Sequence, residues 1–205
     1  MARPNRPVAQ PARPPVRLRN APQQVRIIGG VWKRTPLPVA AIDGLRPTPD
    51  RVRETLFNWL GQTLDGLRCI DLFAGTGALG FEAASRGAAR VVLVERHPRA
   101  AAQLRATKLK LTADAVEIAD ADAVRYVRSQ APDSADVVFL DPPFDSTLLA
   151  DVFAHALKLV APGGAMYVES KDPVESLGEL PEGWSVDRRD RAGLVHYHLL
   201  RREIK

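Results

Sequence analysis

Two short stretches carry residue types and spacings that could do chemistry together. The first is Asp71-Leu72-Phe73-Ala74-Gly75-Thr76-Gly77, with Gly80 three residues beyond and an apolar run over 68–73 leading into it. This pattern predicts a buried parallel strand, a tight glycine turn and a helix start at 78. Such a unit lets a ligand lie against bare backbone amides. The Gly75-x-Gly77-x-x-Gly80 spacing fits the dinucleotide fingerprint, with Glu95 at about the expected 20 residues further on. Asp71 departs from a nicotinamide site: a carboxylate at the strand end repels a pyrophosphate and welcomes a cationic amino acid–nucleoside such as S-adenosylmethionine. The second stretch is Asp141-Pro142-Pro143-Phe144, directly after the strand-like residues 136–140. The exocyclic amine of a nucleobase is a poor nucleophile, because its lone pair is delocalised into the ring. Two acceptors fixed on its hydrogens, the Asp141 carboxylate and the Pro142 carbonyl, can turn that lone pair towards a methyl donor. Pro143 lacks an amide hydrogen and stiffens the loop, while Phe144 offers a ring for an extruded base to stack on.

The elements that must position these loops alternate along the chain. A helix over 78–86 ends at Gly87, and 91–95 forms the next strand, with Glu95 at its end as acceptor for the hydroxyls of a ribose. A helix over 98–109, a strand over 116–118 and a helix over 123–130 follow. Asp122 heads the last of these, where helix capping competes with accepting the amino group of adenine. The strand at 136–140 leads to a helix over 146–160, a Pro162-Gly163-Gly164 turn and a strand over 165–169. A hairpin of 184–188 and 194–201 closes the chain, with its turn at 191–193. Alternation of this kind predicts a mostly parallel seven-stranded sheet with one reversed strand, an α/β class I (Rossmann-like) architecture. Before it, residues 46–54 open a helix with Thr48 as N-cap and Pro49 at its first position.

Charge is unevenly distributed. Residues 1–24 hold five arginines, no acid and six prolines, and lack apolar periodicity, which predicts an extended or disordered tail. Residues 25–53 hold six basic and two acidic groups, whereas 54–205 hold 18 and 22. A polyanion should therefore meet the first quarter of the chain, although a basic tail also serves solubility. Residues 25–39 read as a two-stranded ribbon, with Gly29-Gly30 as a bulge or close approach. Its Arg26, Trp32, Lys33 and Arg34 combine phosphate-seeking charge with a flat stacking surface, which suits RNA; a hairpin that covers one end of the core with Trp32 buried reads equally well. Arg46, Arg51 and Arg53 extend this basic patch. The one cysteine, Cys69, belongs to a predicted buried strand, and His196 and His198 share a strand face without a third metal ligand nearby in sequence. No metal is expected. Without an apolar membrane-length run or a secretory signal, a monomeric cytoplasmic protein is the expectation.

These motifs resemble the bacterial small-subunit rRNA guanine-N2 methyltransferases of the RsmD type. The resemblance runs from about 25 to 202 and rests on Arg26-Ile-Ile-Gly-Gly30, Leu45-Arg-Pro-Thr48, Asp50-Arg-Val-Arg-Glu54, Leu56-Phe-Asn58, Asp71-Leu-Phe-Ala-Gly-Thr-Gly77 and Asp141-Pro-Pro-Phe144. It implies a class I methyltransferase fold, S-adenosylmethionine as donor, and a guanine of 16S rRNA in an assembling small ribosomal subunit as acceptor. The implied catalytic motif is Asp141, Pro142, Pro143 and Phe144. The implied cofactor site is Asp71, Phe73, Gly75, Thr76, Gly77 and Glu95, with Asp122 added from its strand-end position. Arg46, Thr48 and Arg51 match a family motif assigned to substrate placement. Three regions follow: a tail over 1–24, a hairpin extension over 25–45 and the methyltransferase domain over 46–205. The tetrapeptide itself also suits adenine-N6 transfer, and a nicotinamide-dependent oxidoreductase or a catalytically silent RNA-binding module are the readings from other classes.

Overall fold

The computed structural model describes residues 24–42, 47–143 and 147–204. Arg46 and Phe144, and the whole predicted tail up to residue 23, lie outside these described residues. A short hairpin, β1 (Gln24–Arg26) paired with β2 (Pro36–Pro38), precedes α1 (Asp50–Leu60). The chain then alternates: β3 (Arg68–Asp71), α2 (Ala78–Ser85), β4 (Arg90–Glu95), α3 (Pro98–Leu111), β5 (Val116–Asp120), α4 (Ala123–Ser129), β6 (Ala135–Leu140), α5 (Leu148–Leu159) and β7 (Val160–Ser170). A hairpin, β8 (Trp184–Ala192) and β9 (Val195–Arg202), completes it. The seven strands lie in the order β5-β4-β3-β6-β7-β9-β8, and β9 alone runs against the others.

Strands buried on both faces explain the near-continuous apolar runs. Along β4, Val91 and Leu93 pack with Leu56, Phe57 and Phe81 of α1 and α2, while Val92 and Val94 face Val127 and Val152 of α4 and α5. In β6, Val137 and Phe139 alternate with Val138 and Leu140 in the same way. Two boundaries differ from the sequence reading. Pro162-Gly163-Gly164 does not break the chain, because β7 continues through it and takes up the irregularity as a register shift opposite Ala135–Val137. The closing hairpin turns at Gly193-Leu194 and shares only Gly193 with the predicted turn over 191–193, so β8 runs on to Ala192 and the ladder is longer.

The N-terminal hairpin is fixed to α2 through one buried carboxylate. Glu82, fully buried, accepts the backbone amides of Ile28 (2.6 Å) and Gly29 (2.7 Å) and the Arg86 Nε (2.8 Å), with Arg53 Nη1 at 3.7 Å. Gly30 lies so close to α2 that a Cβ there would fall 1.8 Å from the Ser85 carbonyl, and its φ of +73° is one that side chains disfavour. This is the close approach the glycine pair foretold. Val25, Ile27 and Leu37 join the core, and Trp32 packs half-buried against it.

Candidate active site

β3 and β6 are parallel neighbours, with Asp71 opposite Phe139, so the loops after Asp71 and after Leu140 leave adjacent strand ends. From β3 the chain winds outward through β4 and β5, then returns to β6 on the other side. That reversal opens a crevice at the carboxyl ends of the strands, where ligands of open α/β sheets bind.

The glycine loop is braced by carboxylates. Asp71, fully buried, accepts the Gly80 amide at 3.3 Å and a backbone hydrogen bond from Phe73. Gly75 and Gly77 both turn through positive φ (51° and 76°), and Gly77 is the left-handed residue from which α2 starts. Glu95, at the end of β4, accepts the Gly75 amide on Oε2 (2.9 Å) and the His97 amide on Oε1 (2.7 Å). One carboxylate thus ties the first loop to the second, and each oxygen keeps a further lone pair. Phe73 packs half-buried against the α4/α5 side of the core, and Thr76 is buried. Beside these strand ends a pocket of about 340 Å³ is lined by Arg96, Pro98, Arg105, Asp120, Ala121 and Asp122. Asp122 caps α4, accepting from the amides of Val124 (3.0 Å) and Arg125 (3.2 Å) on Oδ1, and leaves Oδ2 4.0 Å from Arg96. Asp120 pairs with Arg105.

Burial raises the Asp71 carboxyl to about 7, helped by the charges of Asp141 and Glu95. Asp141, half-buried, is likewise raised to about 6 by desolvation, against which a hydrogen bond from Thr48 works. Pro142 is buried and Pro143 exposed at the loop surface. The Thr48 hydroxyl donates to Asp141 Oδ2 at 3.0 Å. The helix-cap role predicted for Thr48 is therefore wrong: α1 begins at Asp50 after Pro49, without a side-chain cap. The local signs of a cap were present, yet the hydroxyl found a charged partner 93 residues away.

Arg53 is a second correction. Rather than joining an RNA-facing patch, it is fully buried and donates to the carbonyls of Thr48 (3.2 Å) and Arg26 (2.9 Å) and to Asp50 (2.6 Å). It fixes the backbone of Thr48 and hence the hydroxyl that meets Asp141. Arg26 is exposed and pairs with Asp50 at 2.9 Å; Lys33, Arg34 and Arg51 are exposed. Sequence reasoning also passed over Tyr167 and Glu169, both buried in β7, where the tyrosine hydroxyl donates to Glu169 Oε1 at 2.8 Å. A glutamate inside the apolar run 165–170 was the available signal. Cys69 is buried, and its thiol is pushed up to about 12 by desolvation, so it is an inert core group. The rings of His196 and His198 stack at 6.3 Å.

A doubly wound sheet with one reversed strand, a glycine loop after its central strand and an Asp-Pro-Pro loop after the neighbouring one, defines a class I methyltransferase. The chain belongs to the family described as Conserved hypothetical protein 95, whose model matches residues 25–201. The protein named Ribosomal RNA small subunit methyltransferase D from Escherichia coli K12 is 41% identical over 186 residues, covering 89% of this chain and 92% of that protein. Its namesake from Haemophilus influenzae is 38% identical over 185 residues, covering 88% and 95%. The solved structure of yhhF from Escherichia coli superposes with a TM-score of 0.77 at 41% identity, over 89% of this chain and 99% of that one. A precorrin-6y C5,15-methyltransferase from Geobacter metallireducens, 17% identical, shares the fold with a TM-score of 0.61 over 80% of this chain and 94% of its own.

Proposed function

We propose that the protein transfers a methyl group from S-adenosylmethionine to the exocyclic N2 of a guanine in small-subunit (16S) rRNA during ribosome assembly. The observation that carries this reading is the adjacency of two carboxylates, Asp71 at the end of β3 and Asp141 just beyond the end of β6, close enough for the charge of one to raise the other. Among the described residues Asp71 has no salt-bridge partner, so the crevice favours a cation and disfavours a pyrophosphate. That is the charge sign of a sulfonium donor and the opposite of a nicotinamide dinucleotide. The fit extends to Glu95, whose oxygens keep lone pairs for ribose hydroxyls, and to the pocket over Asp120–Asp122 for the adenine end.

Bound there, S-adenosylmethionine supplies an activated methyl on a good leaving group. The protein's own task is alignment and proton acceptance. Asp141, oriented by Thr48, accepts one hydrogen of the acceptor amine, and the Pro142 carbonyl serves as the second acceptor. As nitrogen gains its methyl it must lose one proton, and Asp141 is the base in place to take it. The buried Arg53 keeps Thr48 in register. Exposed Arg26, Lys33, Arg34 and Arg51 supply charge for rRNA phosphates, and half-buried Trp32 directly precedes Lys33 and Arg34 in the chain. The names and identities of the rRNA methyltransferase relatives support the rRNA acceptor.

Labelled-methyl transfer to rRNA by wild type, and its loss in Asp141→Ala with an unchanged melting profile, is the expected outcome. Mass-spectrometric mapping then identifies the base. Transfer undiminished in Asp141→Ala, or found on adenine, would refute the assignment.

A further inference from the structure

Arg53 is the largest fully buried side chain among the described residues, and its hydrogen bonds lead both to the N-terminal hairpin and to the catalytic loop. Nη1 donates to the carbonyl of Arg26, the last residue of β1, at 2.9 Å. Nε donates to the carbonyl of Thr48 at 3.2 Å, and Nη2 to Asp50 Oδ1 at 2.6 Å. The other oxygen of Asp50 accepts Arg26 Nε at 2.9 Å. Arg26 is thus held twice, through its carbonyl by Arg53 and through its side chain by a carboxylate that Arg53 also grips. Glu82, which seats the hairpin on α2, lies 3.7 Å from Arg53 Nη1.

The path from hairpin to base is short. It runs from the Arg26 carbonyl through the Arg53 guanidinium to Thr48 and on to Asp141, with every link between 2.9 and 3.2 Å. Thr48 stands between Pro47 and Pro49, which have no amide hydrogens with which to anchor the segment. A guanidinium is planar and its donors diverge at fixed angles, so moving one acceptor turns the plane away from the others. A buried cation serving stability alone is satisfied by Asp50 and Glu82. Here Nε goes instead to the residue whose hydroxyl meets Asp141.

We propose that Arg53 is a positioning residue that keys the orientation of Asp141 to the seating of the N-terminal hairpin on α2. With the hairpin docked, the guanidinium holds Thr48 where its hydroxyl reaches Asp141; with the hairpin displaced, that bond is lost. The hairpin that offers charge to RNA and the base that receives the acceptor amine are then one mechanical unit. The consequence for turnover rests on the methyl-transfer reading, while the linkage itself does not.

The ionisation of Asp141 reports on the linkage without substrate. The groups facing Asp141 are the carboxyls of Asp71 from β3 and Glu169 from β7, with the Tyr167 hydroxyl bonded to Glu169. No cation is paired with Asp141 among the described residues. Thr48 is the donor that holds its carboxyl down against burial, so losing that bond raises it above its position near 6. Carbon-13 NMR of the aspartate carboxyls follows this titration in the free protein, with the signal assigned by its absence from Asp141→Asn.

Thr48→Val should raise the Asp141 titration by about one unit. Arg53→Lys keeps the charge and loses the fork. Gly30→Ala puts a Cβ 1.8 Å from the Ser85 carbonyl and drives the hairpin off α2, without altering Arg53 or Thr48. Each should raise Asp141 in the same direction, and combining either with Thr48→Val should give no rise beyond that of Thr48→Val alone. In Arg53→Lys kcat should fall by roughly tenfold with donor affinity unchanged. Leu157→Ala truncates the core on α5, away from this path, and should leave Asp141 in place despite its lower melting temperature.

All variants are measured below their melting transitions, and the two lesions lie on different elements, so one folded variant suffices. An Asp141 titration unmoved in either folded variant overturns the proposal, as does a rise that adds to that of Thr48→Val. An equal rise in Leu157→Ala overturns it too, because general loosening then accounts for the effect. A wild type inactive on rRNA whose Asp141 still responds to Gly30→Ala rejects the methyl-transfer reading and keeps the linkage.

Discussion

The hydroxyl of Thr48 donates to Oδ2 of Asp141 across 3.0 Å, although 93 residues separate them along the chain. This bond fixes which way the base faces, because Pro142 and Pro143 behind it have no amide hydrogens to offer. Thr48→Val keeps the shape and removes the donor. Losing a hydrogen bond to a charged group is worth about 1.5–3 kcal/mol. We expect kcat to fall by about one to two powers of ten, with donor affinity unchanged. Single-turnover assays with calorimetric donor binding measure both, and equal kcat in the variant would remove Thr48 from the site.

Glu82 joins three elements: the amides of Ile28 and Gly29, Arg86 on its own helix, and Arg53 of α1. Glu82→Ala leaves the Arg86 Nε and two amides without their acceptor in the core and takes the nearby negative charge from Arg53. Removing one partner of a buried charge pair costs about 3–5 kcal/mol. Urea melts should register a loss of that order, and limited proteolysis should cut the 24–38 segment first. Arg26→Ala, at an exposed pair, should cost under about 1 kcal/mol and serves as the reference.

The sequence made the sheet legible because both of its faces are buried, so strands announce themselves as apolar runs and helices by their glycine ends. It also placed Asp71 and Glu95 at strand ends and the glycine loop and Asp141 just past them, and the structure has them there. What it hid are partnerships over long separations. Arg53 lies in a run of arginines and reads as solvated, until the carbonyl of Arg26 and the carboxylate of Glu82 close over it. Thr48 carries every local sign of a helix cap, and its real partner belongs to another strand. Glu169 resembles a strand-end acid at the water surface, and only the packing of β7 between β6 and β9 buries it. Side chains whose role is set by a tertiary neighbour leave no periodic trace.

Residues 1–24 bring five arginines to the end of the chain from which the hairpin begins. A chain lacking them should bind rRNA more weakly, and most visibly at low salt. Each lost contact to single-stranded RNA should reduce the slope of log affinity against log salt by about 0.7, or about 3.5 if all five arginines engage. Filter binding across a salt series measures this. Turnover at saturating RNA should survive, since Asp71 and Asp141 are held by the sheet. Loss of turnover at saturation would make the tail part of the catalytic unit.

Asp71 should couple pH to both stability and donor binding, in opposite directions. Its carboxyl is held near 7 in the folded protein by burial and by Asp141, against about 3.9 for an unperturbed aspartate. The folded state therefore keeps a proton that the unfolded state has released over this interval. Its ionisation removes stability as pH rises from about 4 to 7, and the full penalty is present above 7. A cationic donor prefers the ionised form, so its binding expels that proton below pH 7. Donor affinity should consequently fall as pH drops from 8 towards 5.5. Asp71→Asn takes away the ionisable group: the free protein should melt at a higher temperature at pH 8, bind donor more weakly there, and lose most of the pH dependence of binding. Calorimetry in two buffers of different ionisation enthalpy reads the released proton directly. A variant that binds donor as tightly as wild type at pH 8 would show that the charge of Asp71 has no part in holding it.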